Sequence, residues 1–190
     1  MRILLIDENR ERSEMLQQAL HETGCEVVAQ SSSTLDLIRL VADSKPDVII
    51  IDTDSPSRDT LEHVCIVSRD QPRPIVMFTH DGDGDKIRAA LSAGVSSYVV
   101  DGLDPSRVKS ILEVAVTRFE AHQALRGELD KANTSLAERK VIERAKGVLM
   151  KQRSLSEEEA YQTLRKMAME RSVKMAELSQ QVISAAELLS

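Results

Sequence analysis

Five short apolar runs, each followed by an amphipathic stretch, constrain the first hundred residues more than any other feature. The runs are Ile3-Leu4-Leu5-Ile6, Val27-Val28, Val48 to Ile51, Ile75 to Phe78 and Ser97 to Val100. Between them, Arg10 to Glu22 places Met15, Leu16, Ala19 and Leu20 on one helical face. Leu35 to Val41, Thr60 to Ser68 and Lys86 to Ala93 supply three more helices, the first of these stopping before Lys45-Pro46 and the last closed by Gly94. Continuous β-branched runs without alternation belong to strands buried on both faces, and helical connections between them make the strands parallel. The expected fold is a doubly wound α/β domain with a five-stranded parallel sheet. Its ligands would sit at the carboxyl ends of the strands.

The rest of the chain reads as helix. Asp104-Pro105 looks like an N-cap with proline at the first helical position. From there to about Arg153 there is no further proline and only Gly127 and Gly147, so one helix of about 70 Å is expected at about 1.5 Å per residue. Val108, Ala115, His122, Leu129 and Leu136 fall at one heptad position, and Ile111, Leu125 and Ala132 at the other, interrupted by Arg118 and Arg139. This frame predicts a coiled coil over residues 105–138, between two copies of the chain. Beyond a break at Arg153-Ser154, Ser156 and Glu159 have the spacing of a capping box. Ala160, Leu164, Met167 and Ala168 then give a second helix its apolar face, and Ala176 to Leu189 makes a third. Three helices, the first continuous with the coil, form a C-terminal module.

Charge divides the chain unevenly. Residues 139–190 carry 10 Lys/Arg against 7 Asp/Glu, which leaves 15 against 24 in residues 1–138. A polyanionic partner would meet the basic C-terminal part. With two Tyr, two Phe and no Trp, the composition argues against base-stacking platforms of the RRM or OB kind. Cys25 and Cys65 lack any pairing or metal spacing, which fits free thiols in a reducing compartment. No apolar run approaches the roughly 18 residues of a bilayer span and no signal peptide opens the chain, so a cytoplasmic protein without membrane contact is expected. His21, His63, His80 and His122 are scattered and no nucleophile–base pair appears, which argues against an enzyme.

Asp7 and Glu8 end the first strand and Asp52 ends the third. In a parallel sheet these ends are adjacent, and the resulting oxygen cluster suits Mg²⁺. Together with Pro56, Thr79 at the end of strand four and Tyr98 in strand five, this pattern resembles the receiver domains of response regulators over residues 1–118. The resemblance implies that Asp52 accepts a phosphoryl group, that Asp7 and Glu8 hold Mg²⁺, and that Thr79 and Tyr98 act as the switch. One departure stands out: receivers carry a Lys where this chain has Asp101. A carboxylate there replaces attraction to phosphoryl oxygens by repulsion, up to roughly 4 kcal/mol for two charges about 4 Å apart at an effective dielectric of 20. A pseudo-receiver that signals by binding a partner is therefore expected, with a phosphorylation-driven switch as the alternative.

Along the long helix, Lys140, Arg144, Gly147 and Lys151 share one stripe, and Arg139, Lys146 and Arg153 a neighbouring one. Gly147 costs about 1 kcal/mol against alanine in a helix, so something bulky is expected to approach it closely. A phosphate backbone fits between the flanking cations; by spacing alone, a solvated charged face is the better explanation of the pattern. The elements Arg139, Ile142-Glu143, Ala145-Lys146-Gly147, Leu149-Met150, Ser156, Glu159-Ala160, Leu164-Arg165, Ala168-Met169 and Lys174 resemble the ANTAR domain over residues 137–190. That resemblance implies a dimeric, RNA-binding antiterminator that grips paired leader mRNA stem-loops, and adds Arg165 and Lys174 to the RNA-contacting set. The stretches 52–59 and 68–79 and the missing Lys resemble the NasT branch of the family, in nitrate and nitrite assimilation. That branch implies a NasS-like nitrate/nitrite sensor as partner. A DNA-binding regulator is the remaining alternative, although a basic stripe on the coil-linked helix fits a major-groove reading head poorly.

Overall fold

The computed structural model describes residues 1–100 and 106–188. In chain order the elements are β1 (Arg2–Asp7), α1 (Arg10–Glu22), β2 (Glu26–Ser31), α2 (Leu37–Ser44), β3 (Val48–Asp52), α3 (Arg58–Asp70), β4 (Ile75–Thr79), α4 (Gly84–Ala93), β5 (Ser97–Val100), α5 (Val108–Arg153), α6 (Glu157–Glu170) and α7 (Met175–Leu188). The chain separates into two compact units, Met1–Gln123 and Ala124–Ser190.

In the first unit the strands form one parallel sheet in the order β2-β1-β3-β4-β5. The pleat sends alternate side chains of each strand to opposite faces. Ile3, Leu5, Val48, Ile50, Val76 and Phe78 meet Leu16 and Leu20 of α1 and Val108, Leu112 and Ala115 of α5. Leu4, Ile6, Ile49, Ile51, Ile75 and Met77 meet α2, α3 and α4 on the other face. Every residue of β3 and β4 is buried, which is why those runs read as continuous rather than alternating. Strand order reverses between β1 and β3, so the crevice for a ligand opens where Asp7 and Asp52 lie.

Local chemistry sets the ends of several helices. Asn9 caps α1, its side chain accepting from the Arg12 N–H at 3.1 Å. Gly94 ends α4 at φ 108°, and a Cβ built there would lie 2.0 Å from Ser68 Oγ of α3. Position 94 needs glycine twice over, for its left-handed backbone and for the close approach of a neighbouring helix.

α5 departs from the heptad frame in an instructive way. Val108 and Ala115 are fully buried in the receiver core, with Ile111 packed against it. Those positions cover the sheet and do not contribute to a seam with another chain, which leaves only the later heptad positions for one. The expected N-cap at Asp104-Pro105 lies outside the described residues.

In the second unit, Ala145 and Leu149 of α5 pack with Ala160, Leu164 and Ala168 of α6 and with Leu178 and Ile183 of α7. Both halves of the Ser156–Glu159 capping box form. Among the described residues no helix is long and apolar enough to cross a membrane.

Candidate functional site

Two charged regions emerge, one in each unit. In the first, parallel registry puts Asp7 directly beside Asp52, at 3% and 1% exposure. Asp7 Oδ1 accepts from the Asn9 N–H at 2.8 Å. Glu8 receives the Thr53 hydroxyl at 3.5 Å and, with Asp7, Gln30, Ser31 and Ser32, lines a cavity of about 380 Å³.

Arg12, in the first turn of α1, reaches back over these carboxylates. Its Nε lies 3.0 Å from Asp52 Oδ2, one terminal nitrogen 3.5 Å from Asp7 Oδ1, and the other 3.4 Å from Asp54 Oδ1. The Nε contact lacks hydrogen-bond alignment, and both Asp52 oxygens and Asp7 Oδ2 are without hydrogen-bond partners. Burial pushes the Asp52 carboxyl up to about 6; Arg12 pulls it down and Asp7 pushes it further up.

The switch-like residues are tied to neighbouring loops. The Thr79 hydroxyl donates to the Asp54 carbonyl at 2.8 Å and accepts from the Asp81 N–H at 3.1 Å. The Tyr98 hydroxyl donates to the Asp81 carbonyl at 2.8 Å. Lys86 of α4 reaches Ser55 and Asp81, both at 2.6 Å; hydrogen bonds to Asp81 from Lys86, the Ser55 hydroxyl and the Asp83 N–H drive its carboxyl far below the usual carboxylate range. The structure thus puts Asp7 beside Asp52 at one strand-end crevice and ties Thr79 to the loops after β3 and β4 and Tyr98 to the loop after β4; Asp101 lies outside the described residues.

Receiver domains use this crevice for Mg²⁺, and the unpartnered buried oxygens of Asp7 and Asp52 suit a hard cation. Asp7, Glu8 and Asp52 would hold it, and a bound Mg²⁺ would neutralise charge on an incoming phosphoryl group. As they stand, however, no three ligand-type side chains among the described residues converge as a metal group. The guanidinium of Arg12 already lies against one of the unpartnered oxygens, Asp52 Oδ2, and reaches Asp7 through Oδ1.

The second region is the outer face of α5 beyond the coil. Arg139, Lys140, Arg144, Gly147 and Lys151 are exposed, as are Arg165 of α6 and Lys174 before α7. Arg144 pairs at 2.6 Å with Glu187. Around Gly147 nothing lies within 4 Å of where a Cβ would stand, so packing within the chain does not account for this glycine. Lys146 differs from its neighbours on the stripe. It is 6% exposed, and its ammonium bridges Glu143 at 2.9 Å and Glu157 at 2.7 Å. These hydrogen bonds raise its pKa and tie α5 to α6.

Sequence reasoning missed Arg12 and Lys86. The available signal for Arg12 was a cation one turn after a cap residue that itself follows the acidic pair. Lys86 had no comparable signal, because its partners come from two separate loops.

Comparison with known proteins agrees with this architecture. Residues 3–113 match the response regulator receiver domain and residues 130–183 the ANTAR domain. The chain is 30% identical to the transcriptional regulatory protein PdtaR of Mycobacterium tuberculosis over 88% of its own length and 82% of that protein's. It is 42% identical to the nitrate regulatory protein of Klebsiella oxytoca, over 36% of this chain and 18% of that one. The signal receiver domain of a modulated diguanylate cyclase from Desulfovibrio desulfuricans superposes with a TM-score of 0.56 at 17% identity, covering 64% of this chain and 97% of that one, a likeness of fold. The protein belongs to the response regulators that join a receiver domain to an ANTAR domain.

Proposed function

We propose that this protein is an RNA-binding transcription antiterminator. In this reading residues 1–118 are a pseudo-receiver, residues 105–138 a linker with a dimerising coil, and residues 137–190 an RNA-binding module that grips paired leader stem-loops. The observation that carries it is the open surface at Gly147, exposed between Lys140, Arg144 and Lys151 on a domain matched by the ANTAR model. Helical glycine exposed without an intramolecular neighbour suits close approach by a backbone, and the cations on either side suit phosphates. Likeness to a nitrate regulatory protein supports a role in nitrate or nitrite assimilation under a NasS-like sensor.

Two stem-loops call for two reading heads. Leu125, Leu129 and Leu136 are 66%, 60% and 57% exposed and share the later heptad positions with Ala132, a seam for a parallel homodimer. Linking two heads raises apparent affinity by roughly 10² to 10⁴ without new contacts. Gel-shift titration at fixed physiological salt tests the reading: tandem leader hairpins should bind far better than duplex DNA of the same sequence. Leu125→Asp with Leu129→Asp should keep weak single-hairpin binding and lose the tandem advantage. Equal affinity for RNA and DNA would reject the proposal.

A phosphorylation-activated regulator is the second reading, favoured by the placement of Asp52 beside Asp7 and of Thr79 at the same strand ends. Acetyl phosphate with Mg²⁺ discriminates between them. The pseudo-receiver reading expects neither appreciable label on Asp52 nor any change in RNA affinity.

A further inference from the structure

Arg12 offers the pocket something that neither the receiver pattern nor the RNA-binding reading supplies. A guanidinium is a permanent cation, and here it stands 3.0 Å from one oxygen of Asp52 and 3.5 Å from one of Asp7. Both carboxylates are almost wholly buried, and three of their oxygens have no hydrogen bond. Two adjacent anions in so dry a place require a positive charge nearby, since like charges in low dielectric repel strongly. Arg12 is that charge. Its position is fixed from both ends: the Asn9 side chain accepts from the Arg12 backbone N–H, and the Asn9 N–H donates to Asp7. The third contact, to Asp54 at 3.4 Å, straps α1 to the loop after β3.

We propose that Arg12 is the resident cation of this pocket and excludes divalent metal from Asp7 and Asp52. Mg²⁺ demands oxygens at about 2.0–2.1 Å in an octahedron and keeps several waters. A guanidinium held between Asp7 Oδ1 and Asp52 Oδ2 takes room beside both carboxylates and cancels the charge that would draw the ion. Metal and Arg12 are alternatives, so the pocket becomes a metal site only when Arg12 swings out.

Mn²⁺, read by loss of the free-ion EPR signal, and Mg²⁺, read by the shift in Tm, test it on the full chain. Wild type should show no saturable Mn²⁺ binding and no Mg²⁺-dependent Tm. Arg12→Ala should melt lower in the absence of metal, recover on adding Mg²⁺, and bind Mn²⁺ tighter by on the order of tenfold or more. Adding Asp52→Asn to Arg12→Ala should abolish both gains, which locates the ion. Arg12→Gln, retaining length and hydrogen-bonding capacity without charge, repeats the test if the alanine variant does not fold. Equal Mn²⁺ affinity in wild type and variant, or a variant that melts lower and is not rescued by Mg²⁺, would overturn the proposal; so would micromolar saturable binding by wild type.

Discussion

The two units handle charge in opposite ways. In the receiver, carboxylates and a guanidinium turn inward, and burial with a few close neighbours sets the behaviour of each group. On the C-terminal module the cations turn outward along a helix, where each is weak alone and only the ensemble produces a useful field. Lys146 shows that position on a stripe does not decide which rule applies. It sits among the outward cations in sequence and behaves like the inward ones, buried and held by two carboxylates. An inward charge can serve as a latch, whereas outward charges are open to a partner.

The largest expected effect breaks this contrast if it fails. Lys140→Glu with Lys151→Glu should weaken hairpin binding by on the order of tenfold per residue. The salt dependence should flatten by roughly 0.7 to 0.9 for each phosphate no longer neutralised. Lys146→Gln should do the reverse, lowering the Tm of the C-terminal unit while leaving the salt slope intact. A Lys146 variant that changes the slope as Lys140 does would erase the distinction.

A smaller effect probes the inward side. Because burial raises the Asp52 carboxyl from 3.8 to about 6, the folded state binds the proton more tightly than the unfolded state. The stability contribution is fully present below about pH 4 and is lost as pH rises through about 6. Asp52→Asn should therefore stabilise the receiver at pH 7, by about 2–3 kcal/mol from the size of that gap, and give no gain at pH 4. Urea unfolding at the two pH values measures both.

Gly147→Ala should have the smallest effect on the fold, a gain of about 1 kcal/mol from helix propensity, because nothing in the chain meets the added methyl. Thermal melting checks that gain. The same variant should bind hairpins less well, as the proposed close approach of an RNA backbone at this position requires.

Periodicity makes the fold legible. Runs such as Val48 to Ile51 read as buried strands because β3 lacks a solvent face, and Gly94 reads as the helix stop it is. Asp7 and Asp52 are legible because strand ends converge in a parallel sheet, and Thr79 and Tyr98 only through the resemblance to receiver domains. Arg12 is not, because its role depends on how far a flexible side chain folds back across a cap. Spacing puts Lys146 among the outward cations; its burial is invisible there because Glu157, one of its partners, belongs to the next helix, beyond the reach of helical spacing. Val108 and Ala115 satisfy a heptad and a receiver core equally in sequence; only packing decides between them.

The contact between Gly94 and Ser68 has a consequence for how this sequence can drift. Since a methyl at 94 would fall 2.5 Å from the Ser68 Cβ, the two positions form one joint choice. In a saturation library of the receiver, position 68 should tolerate change only on chains that retain glycine at 94. Alanine at 94 should survive, if at all, only beside glycine at 68, and weakly, because its backbone would remain left-handed.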